Sequence, residues 1–264
     1  MTGALSALDP AGLAVCLDFD GTLTEIVDRP DQAAPIDGIA EVLSEVAART
    51  LVTAIISGRP VEYLIARLPV LPKVRYLGLY GTAELIDGNV VLDPAAERLR
   101  PAVEAARSEL EADRTVRESG AFIEPKPLSV AVHLRRLTPP DRERWAEPLR
   151  DVVTAVVARH GLRLEGGRLV WELSVPNASD KGQAVRRVVV ESGASAVLVV
   201  GDDLGDVPGF AAAADLRSEG ITAVRVAVNS AEAPASLLEA ADLVVDGPSG
   251  VLAVLREIAG RRPD

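Results

Sequence analysis

The chain of 264 residues is long enough for about two domains, and its 48% hydrophobic content fits a globular protein with a sizeable core. Its formal net charge of −11 argues against a nucleic-acid-binding or anionic-membrane surface, since both need a basic patch. Aromatic residues make up only 3%, so Val, Leu, Ile and Ala must build the core, and the one cysteine, Cys16, leaves no intrachain disulfide.

Met1-Thr2-Gly3-Ala4-Leu5 lacks a basic region ahead of an apolar stretch, and no uninterrupted apolar run is long enough to span a membrane. A cytoplasmic location is the expectation. The first apolar run, Leu13-Ala14-Val15-Cys16-Leu17, is closed by Asp18-Phe19-Asp20-Gly21-Thr22-Leu23-Thr24. It reads as a strand buried on both faces that feeds a tight loop, the place where ligand groups collect in parallel α/β sheets. Side chains one residue apart on a strand point to opposite faces, so Asp18 and Asp20 reach one ligand only if the loop begins at Phe19. The polar loop Glu25-Ile26-Val27-Asp28-Arg29-Pro30-Asp31 follows, closed by Pro35. Ile36, Ile39, Leu43, Val46 and Ala47 then recur at helical spacing. A second buried strand over 51–56 ends at Ser57-Gly58-Arg59-Pro60, before a helix expected over 61–68, and a third over 74–80 ends at Gly81. Alternation of this kind is the signature of a parallel sheet.

The period then changes. Asp87-Gly88 punctuates a hairpin over 85–92, and a polar helix is expected over 95–112. Half-polar strands over 121–124 and 128–135, a helix over 140–159, and a hairpin of 162–165 with 168–173 around Gly166-Gly167 suit an antiparallel sheet with one wet face. From Asp180 the α/β rhythm returns with a helix through Ala184, Val185, Val188 and Val189. A strand over 196–200 ends in Gly201-Asp202-Asp203-Leu204-Gly205-Asp206. Further strands are expected over 223–228 and 243–245, with helices over 234–240 and 249–258. The chain therefore divides into a core of 1–93 and 174–264 interrupted by an α+β insert of 94–173, with hinges near Asp93-Pro94 and 173–177.

Taken singly, several of these groups have bland readings. Ser57 suits a helix cap, Lys181 a solvated first-turn residue, and the acids at 202–206 a surface turn. Their order changes the reading. Asp-x-Asp-Gly-Thr at 18–22, Ser57 after a strand, Lys181, then Gly201-Asp202-Asp203 after a strand resembles the four motifs of the haloacid dehalogenase superfamily across the whole core. The resemblance implies a Rossmann-like parallel-sheet core with an inserted cap, Asp18 as nucleophile and Asp20 as acid and base. It also implies Mg²⁺ held at Asp18, Asp20 (through its backbone carbonyl) and Asp202, with Asp203 and Asp206 in support. Chemically, a carboxylate attacking a phosphate dianion needs a cation to offset repulsion, and carboxylates on separate loops suit magnesium. Lys181 would add a point charge, and Ser57, Gly58 and Thr22 of the two loops would hold phosphate oxygens.

Within the superfamily, residues 17–31 and Ser57-Gly58-Arg59 resemble trehalose-6-phosphate phosphatases. So does Glu124-Pro125-Lys126-Pro127-Leu128-Ser129-Val130-Ala131-Val132-His133-Leu134-Arg135 in the insert, together with Glu172 and Asp180-Lys181-Gly182. This implies a cap that moves over the site and contacts sugar hydroxyls through Glu124, Lys126, Arg135 and Glu172, with Arg59 contributing from the core. The implied reaction is Mg²⁺-dependent hydrolysis of trehalose 6-phosphate, with a small sugar phosphate as the only expected partner: no nucleic acid, membrane or obligate protein. Two departures stand out: Gly205 and Val207-Pro208 replace a Thr and two acids of the fourth motif, and Tyr80 replaces a His in Gly78-Leu79-Tyr80-Gly81-Thr82-Ala83-Glu84. The alternatives are a phosphatase for glucosyl- or mannosyl-3-phosphoglycerate, and a catalytically weak sugar-phosphate-binding relative.

Overall fold

The computed structural model describes residues 3–27, 33–166, 169–176, 179–230 and 233–260. The expectations for Asp28-Arg29-Pro30-Asp31, for the turn at Gly167 and Arg168, and for a hinge at Asn177 lie outside the described residues. The chain forms two compact units, Met1–Val91 with Ser179–Asp264, and Leu92–Ala178.

The strands of the chain are β1 (Leu13–Leu17), β2 (Val52–Ile56), β3 (Val74–Gly78), β4 (Ala83–Ile86), β5 (Asn89–Leu92), β6 (Phe122–Pro125), β7 (Ser129–His133), β8 (Arg163–Gly166), β9 (Val170–Ser174), β10 (Ala196–Gly201), β11 (Thr222–Asn229) and β12 (Leu243–Asp246). The α-helices are α1 (Gly3–Ser6), α2 (Ile39–Arg49), α3 (Val61–Ile65), α4 (Pro94–Glu97), α5 (Arg100–Ala112), α6 (Arg114–Ser119), α7 (Pro139–His160), α8 (Lys181–Ser192), α9 (Val207–Ser218), α10 (Ala235–Ala240) and α11 (Gly247–Gly260).

The larger unit is built on one sheet of order β12-β11-β10-β1-β2-β3-β4-β5, parallel from β12 to β3 and antiparallel at β3–β4. Every residue of β1, β2 and β10 is buried, as expected of strands covered on both faces. Ala14, Cys16, Ala54, Ile56, Val197 and Val199 share one face with Val185, Val188 and Val189 of α8 and Phe210, Ala213 and Leu216 of α9. Helices α2 and α11 pack together and against β2, β11 and β12. The order β10-β1-β2 makes the C-terminal end of β1 a switch point: the chain leaves β1 toward β2, while β10 pairs on its other side. The loops after β1 and β10 therefore diverge there and open a crevice.

In the smaller unit an antiparallel sheet of order β6-β7-β9-β8 is joined to helices α5, α6 and α7. Val130, Val132 and Leu173 are fully buried, as are Ala106 and Leu110 of α5 and Leu149 and Val153 of α7. The opposite parity of the sheet carries Phe122, Glu124, Ala131, His133 and Glu172, with Glu124, Ala131 and Glu172 in register across three strands.

Several sequence expectations change. Strand β3 stops at Gly78, because Leu79 and Tyr80 take left-handed conformations (φ 51° and 56°) that end the extended chain. The helix after Val61 ends at Ile65, short of residue 68. The polar helix expected over 95–112 is two helices, α4 capped by Asp93 and α5 beginning at Arg100-Pro101. Helix α6, capped by Asp113 and closed by left-handed Gly120, was not anticipated. Helix α9 was not anticipated either: Pro208 and Gly209 look like loop residues, but the proline sits in the first turn, where its missing N–H costs no helical bond.

Candidate active site

Strand β1 delivers Asp18 directly into the crevice, its backbone N–H still donating to Val200 O on β10 (3.0 Å). The loop then turns on Phe19, whose carbonyl accepts from the Leu23 and Thr24 amides (2.8 and 3.2 Å) and whose ring is buried. With Phe19 pointing into the core, Asp18 is buried and Asp20 is half-exposed at the mouth.

Strand β10 supplies the second loop. Asp202 is buried, and its Oδ1 accepts from the Thr22 hydroxyl (3.3 Å), joining two residues 180 positions apart. Asp203 is exposed and caps the short turn at Leu204–Asp206, accepting from the Gly205 amide (2.8 Å). Asp206 is buried, and its Oδ2 accepts from the backbone amides of Asp202 and Asp203 (3.0 and 3.2 Å). Gly205 thus stands where the turn uses only its backbone, and Val207-Pro208 begin α9, so both departures leave this loop closed.

Lys181 is the first residue of α8. Rather than standing in solvent it is buried, with Nζ 2.6 Å from Asp18 Oδ1 and 2.7 Å from Asp206 Oδ1. Asp18, Asp202 and Asp206 bring one carboxylate oxygen each to within 4.8 Å of one another. Burial pushes Asp18, Asp202 and Asp206 each up to about 7. For Asp202 the neighbouring Asp206 and Asp203 charges add to it, and Lys181 only partly offsets it at all three. Burial would lower Lys181, but Asp18, Asp206 and Asp203 outweigh it and hold the ammonium well above its ordinary value. Three buried carboxylates against one ammonium leave a deficit of positive charge, and the donors are all oxygens. Such a set fits a hard divalent cation. Asp206 has both oxygens engaged, which suits a supporting role, whereas Asp18 and Asp202 suit direct ligation.

The loop after β2 supplies the third part. Ser57 is buried, and its hydroxyl accepts from the Arg59 amide (3.1 Å), so it caps its own loop and not helix α3, whose N-cap is Pro60. Leu79 and Tyr80 aim consecutive backbone N–H groups at Arg59 O and Ser57 O (both 2.9 Å), which explains why this chain keeps two left-handed residues there. Arg59 reaches across to Asp20: Nε donates to Oδ2 (2.8 Å) and Nη2 to Oδ1 (3.2 Å). A cleft of about 340 Å³ opens here, lined by Asp20, Gly21, Arg59, Asp202 and Asp203, with Ile26, Val27 and Leu204 also lining it.

The larger unit thus brings together Asp18, Thr22, Lys181, Asp202 and Asp206 in one buried cluster, with Asp20 and Arg59 paired beside it. Glu124, Lys126, Arg135 and Glu172 belong to the smaller unit. There Lys126 Nζ donates to Glu172 Oε2 (2.8 Å), Ser129 Oγ to Glu172 Oε1 (2.5 Å), and Glu124 Oε2 lies 2.7 Å from His133 Nε2, while Arg135 is exposed. Two groups escaped the sequence reading. His133 lies within the 124–135 segment, and nothing beside it in sequence marks its contact with Glu124. Tyr63 carries the Arg59 and Arg67 guanidiniums on its ring; the i, i+4, i+8 spacing of Arg59, Tyr63 and Arg67 was the available signal.

A family model described as trehalose-phosphatase matches residues 16–241. The trehalose-phosphate phosphatase of Mycobacterium leprae (strain TN) is 33% identical over 274 residues, spanning 100% of this chain and 61% of that protein. That of Mycobacterium marinum (strain ATCC BAA-535 / M) is 39% identical over 221 residues, 78% of this chain and 54% of its own length. The chain spans little more than half the length of the curated relatives it matches. A crystal structure described as a trehalose-6-phosphate phosphatase related protein superposes with a TM-score of 0.66 at 25% identity, over 93% of this chain and 96% of that one. A haloacid dehalogenase-like hydrolase from Bacteroides thetaiotaomicron shares the fold, with a TM-score of 0.61 at 17% identity over 94% of this chain and 99% of that one.

Proposed function

This chain belongs to the trehalose-phosphatase family, and from that footing we propose that it hydrolyses trehalose 6-phosphate to trehalose and inorganic phosphate through an aspartyl-phosphate intermediate. The observation that carries the reading is the pairing of a buried, lysine-bound Asp18 with Asp20 at the cleft mouth, two carboxylates in unlike surroundings. Asp18 and Asp202, with the Asp20 backbone carbonyl, would hold Mg²⁺, which when bound supplies the positive charge that a carboxylate needs to approach a phosphate dianion.

Asp18 forms a bond to phosphorus as the bond from phosphorus to the sugar oxygen breaks, and Asp20 gives that oxygen a proton. Asp20 then takes a proton from the water that attacks the aspartyl phosphate, releasing phosphate and restoring the Asp18 carboxylate. Lys181 keeps Asp18 aimed and adds charge against the transferring group, while Thr22, Ser57 and Gly58 are assigned to the phosphate oxygens. Recognition of the sugar hydroxyls is assigned to Glu124, Lys126, Arg135 and Glu172, with residues 94–173 as a mobile cap. A sugar presents hydroxyl donors and acceptors on most of its carbons, and the polar face of the small sheet offers partners for both.

Phosphate release measured over a panel of sugar phosphates tests the reading. Trehalose 6-phosphate should be the best substrate, and a chelator should abolish turnover that Mg²⁺ restores. A preference for glucosyl-3-phosphoglycerate would reassign the substrate. Asp18→Asn should remove activity toward every substrate. Asp20→Asn should cost about 10²–10⁴-fold with sugar leaving groups. Formation of the intermediate should slow only a few-fold with an activated aryl phosphate, whose leaving group departs unprotonated, while the aspartyl phosphate should persist longer with either substrate. Retained activity in Asp18→Asn would overturn the mechanism.

A further inference from the structure

Asp20 is the half-exposed member of the carboxylate pair, on a loop, and the side chain recorded on both of its oxygens is Arg59. Arg59 is itself a long, half-exposed side chain, which needs something to hold its fork in one place. That something is the ring of Tyr63. The Arg59 guanidinium carbon stands 4.8 Å from the ring centroid, and that of Arg67 stands 3.5 Å from it. Arg67 is fixed in turn, Nε donating to Ala33 O (3.0 Å) and Nη1 to Tyr63 O (3.3 Å). The edge of Tyr63 meets Phe19, the residue between the two aspartates, with ring centroids 6.1 Å apart and planes at 87°. One ring thus touches the residue that turns the aspartate loop and the residue that grips Asp20.

We propose that Tyr63 is a positioning residue: by stacking on Arg59 and packing against Phe19, it fixes the aim of the Asp20 carboxylate toward the leaving oxygen. Of the two Asp20 oxygens, Oδ1 is the more loosely held, at 3.2 Å against 2.8 Å; once released from Nη2 it would be free to carry the proton for the leaving oxygen while Oδ2 stays on Arg59 Nε. A cation stacked on an aromatic face is attracted to it without a directional hydrogen bond, so the contact tolerates the small shift that releasing Oδ1 requires. The inference rests on the phosphatase reading above and deepens it by adding a residue that acts through Arg59.

The test compares Tyr63→Leu and Tyr63→Phe with the unaltered protein on trehalose 6-phosphate and on an activated aryl phosphate. In single turnover Tyr63→Leu should slow release of the leaving group about tenfold from the sugar phosphate at unchanged half-saturation, and less than twofold from the aryl phosphate. Tyr63→Phe, which keeps the ring, should restore the sugar rate. Equal losses on both substrates, a loss confined to half-saturation, or a Tyr63→Phe variant as slow as Tyr63→Leu would each overturn the proposal. A second readout needs no turnover: exchange of the Arg59 Nε–H with water, followed by NMR. That proton should be protected in the unaltered protein and in Tyr63→Phe, and should exchange at least fivefold faster in Tyr63→Leu. If the unaltered protein releases phosphate from neither substrate, the phosphatase reading fails and the exchange rates decide the positioning claim, equal rates overturning it. If Tyr63→Leu does not fold, Arg67→Met, which leaves Arg59 and Asp20 intact, should show the same substrate split at a smaller size, and its absence would overturn the proposal.

Discussion

Gly21 follows Asp20 at φ +75°, and the space where its Cβ would stand is already taken by the Asp202 carboxylate, with Oδ2 2.0 Å from that position. The residue is therefore constrained twice, by the turn of its own loop and by the loop after β10. The Asp-Gly turn is legible in the sequence, because glycine is the residue that adopts a left-handed conformation at no steric cost. The second constraint is not, since it depends on a carboxylate 181 positions along the chain, brought in by the pairing of β1 with β10. Lys181 teaches the same lesson: from its neighbours it reads as a solvated first-turn residue. Burial beneath Asp18 and Asp206 follows from the seating of α8 against the start of α9, where a Cβ on Gly182 would come within 2.5 Å of Pro208 O. Gly21→Ala should accordingly lose stability by about 1–3 kcal/mol through backbone strain. It should lose activity by more, because Asp202 must move. Thermal unfolding and Mg²⁺-dependent phosphate release measure the two effects, and near-normal turnover would show that the site does not need Asp202 where it stands.

Elements differ in how plainly the sequence announces them. The fully buried strands β1, β2 and β10 were legible as continuous apolar runs, and the hairpin β4–β5 as Asp87-Gly88 between half-polar strands, with both turn residues left-handed. Helix α9 was hidden because Val-Pro-Gly-Phe followed by four alanines shows neither a polar stripe nor a helix-like start. The end of β3 was hidden because left-handed Leu79 and Tyr80 are held by bonds to the Ser57 loop, not by any local preference. At the other edge of the sheet, β11 and α9 are tied to the start of β12 through Asp242. Its Oδ2 accepts from the Arg225 amide (2.9 Å), Arg225 Nε (3.0 Å) and Arg217 Nη2 (2.7 Å), and its Oδ1 from Arg225 Nη2 (3.0 Å). Burial works against the charge, but these hydrogen bonds outweigh it and hold the Asp242 carboxyl well below its ordinary value. A carboxyl whose folded pKa lies below its unfolded one, about 3.9, stabilises the fold above that unfolded value. The gain is lost as pH falls toward the folded pKa. Asp242→Asn should therefore lower Tm at pH 7, and the gap from the unaltered protein should narrow steadily below about pH 4. A gap that stays constant down to pH 2 would show that the contribution is packing and not charge.

At the scale of the whole chain, the acids and the lysine of the proposed chemistry are held in one unit, and the polar sheet face assigned to the sugar in the other. The interruption of one α/β core by an antiparallel insert was visible as a change of hydrophobic period. The small unit's polar face is a built surface: Glu124, Ala131 and Glu172 lie in one row across β6, β7 and β9, the alanine between two carboxylates. Burial alone would raise the Glu172 carboxyl, yet hydrogen bonds from Lys126 and Ser129 hold it below its ordinary value. An ammonium shared with a carboxylate in this way has further donors left for hydroxyls, since Lys carries three and Glu172 takes one. Lys126→Ala would remove those donors and leave Glu172 with Ser129 as its remaining side-chain donor. A loss of about 1–3 kcal/mol is the usual cost of such a change, roughly a 5- to 150-fold fall in kcat/KM. The fall should appear with trehalose 6-phosphate and be under about threefold with a small aryl phosphate, which has no sugar to be read. Because the same residue could act only by keeping the small sheet folded, thermal unfolding must be followed alongside. Loss of both substrates together with a lowered Tm would assign the Lys126–Glu172 pair to the stability of its unit and would leave the sugar to be recognised elsewhere.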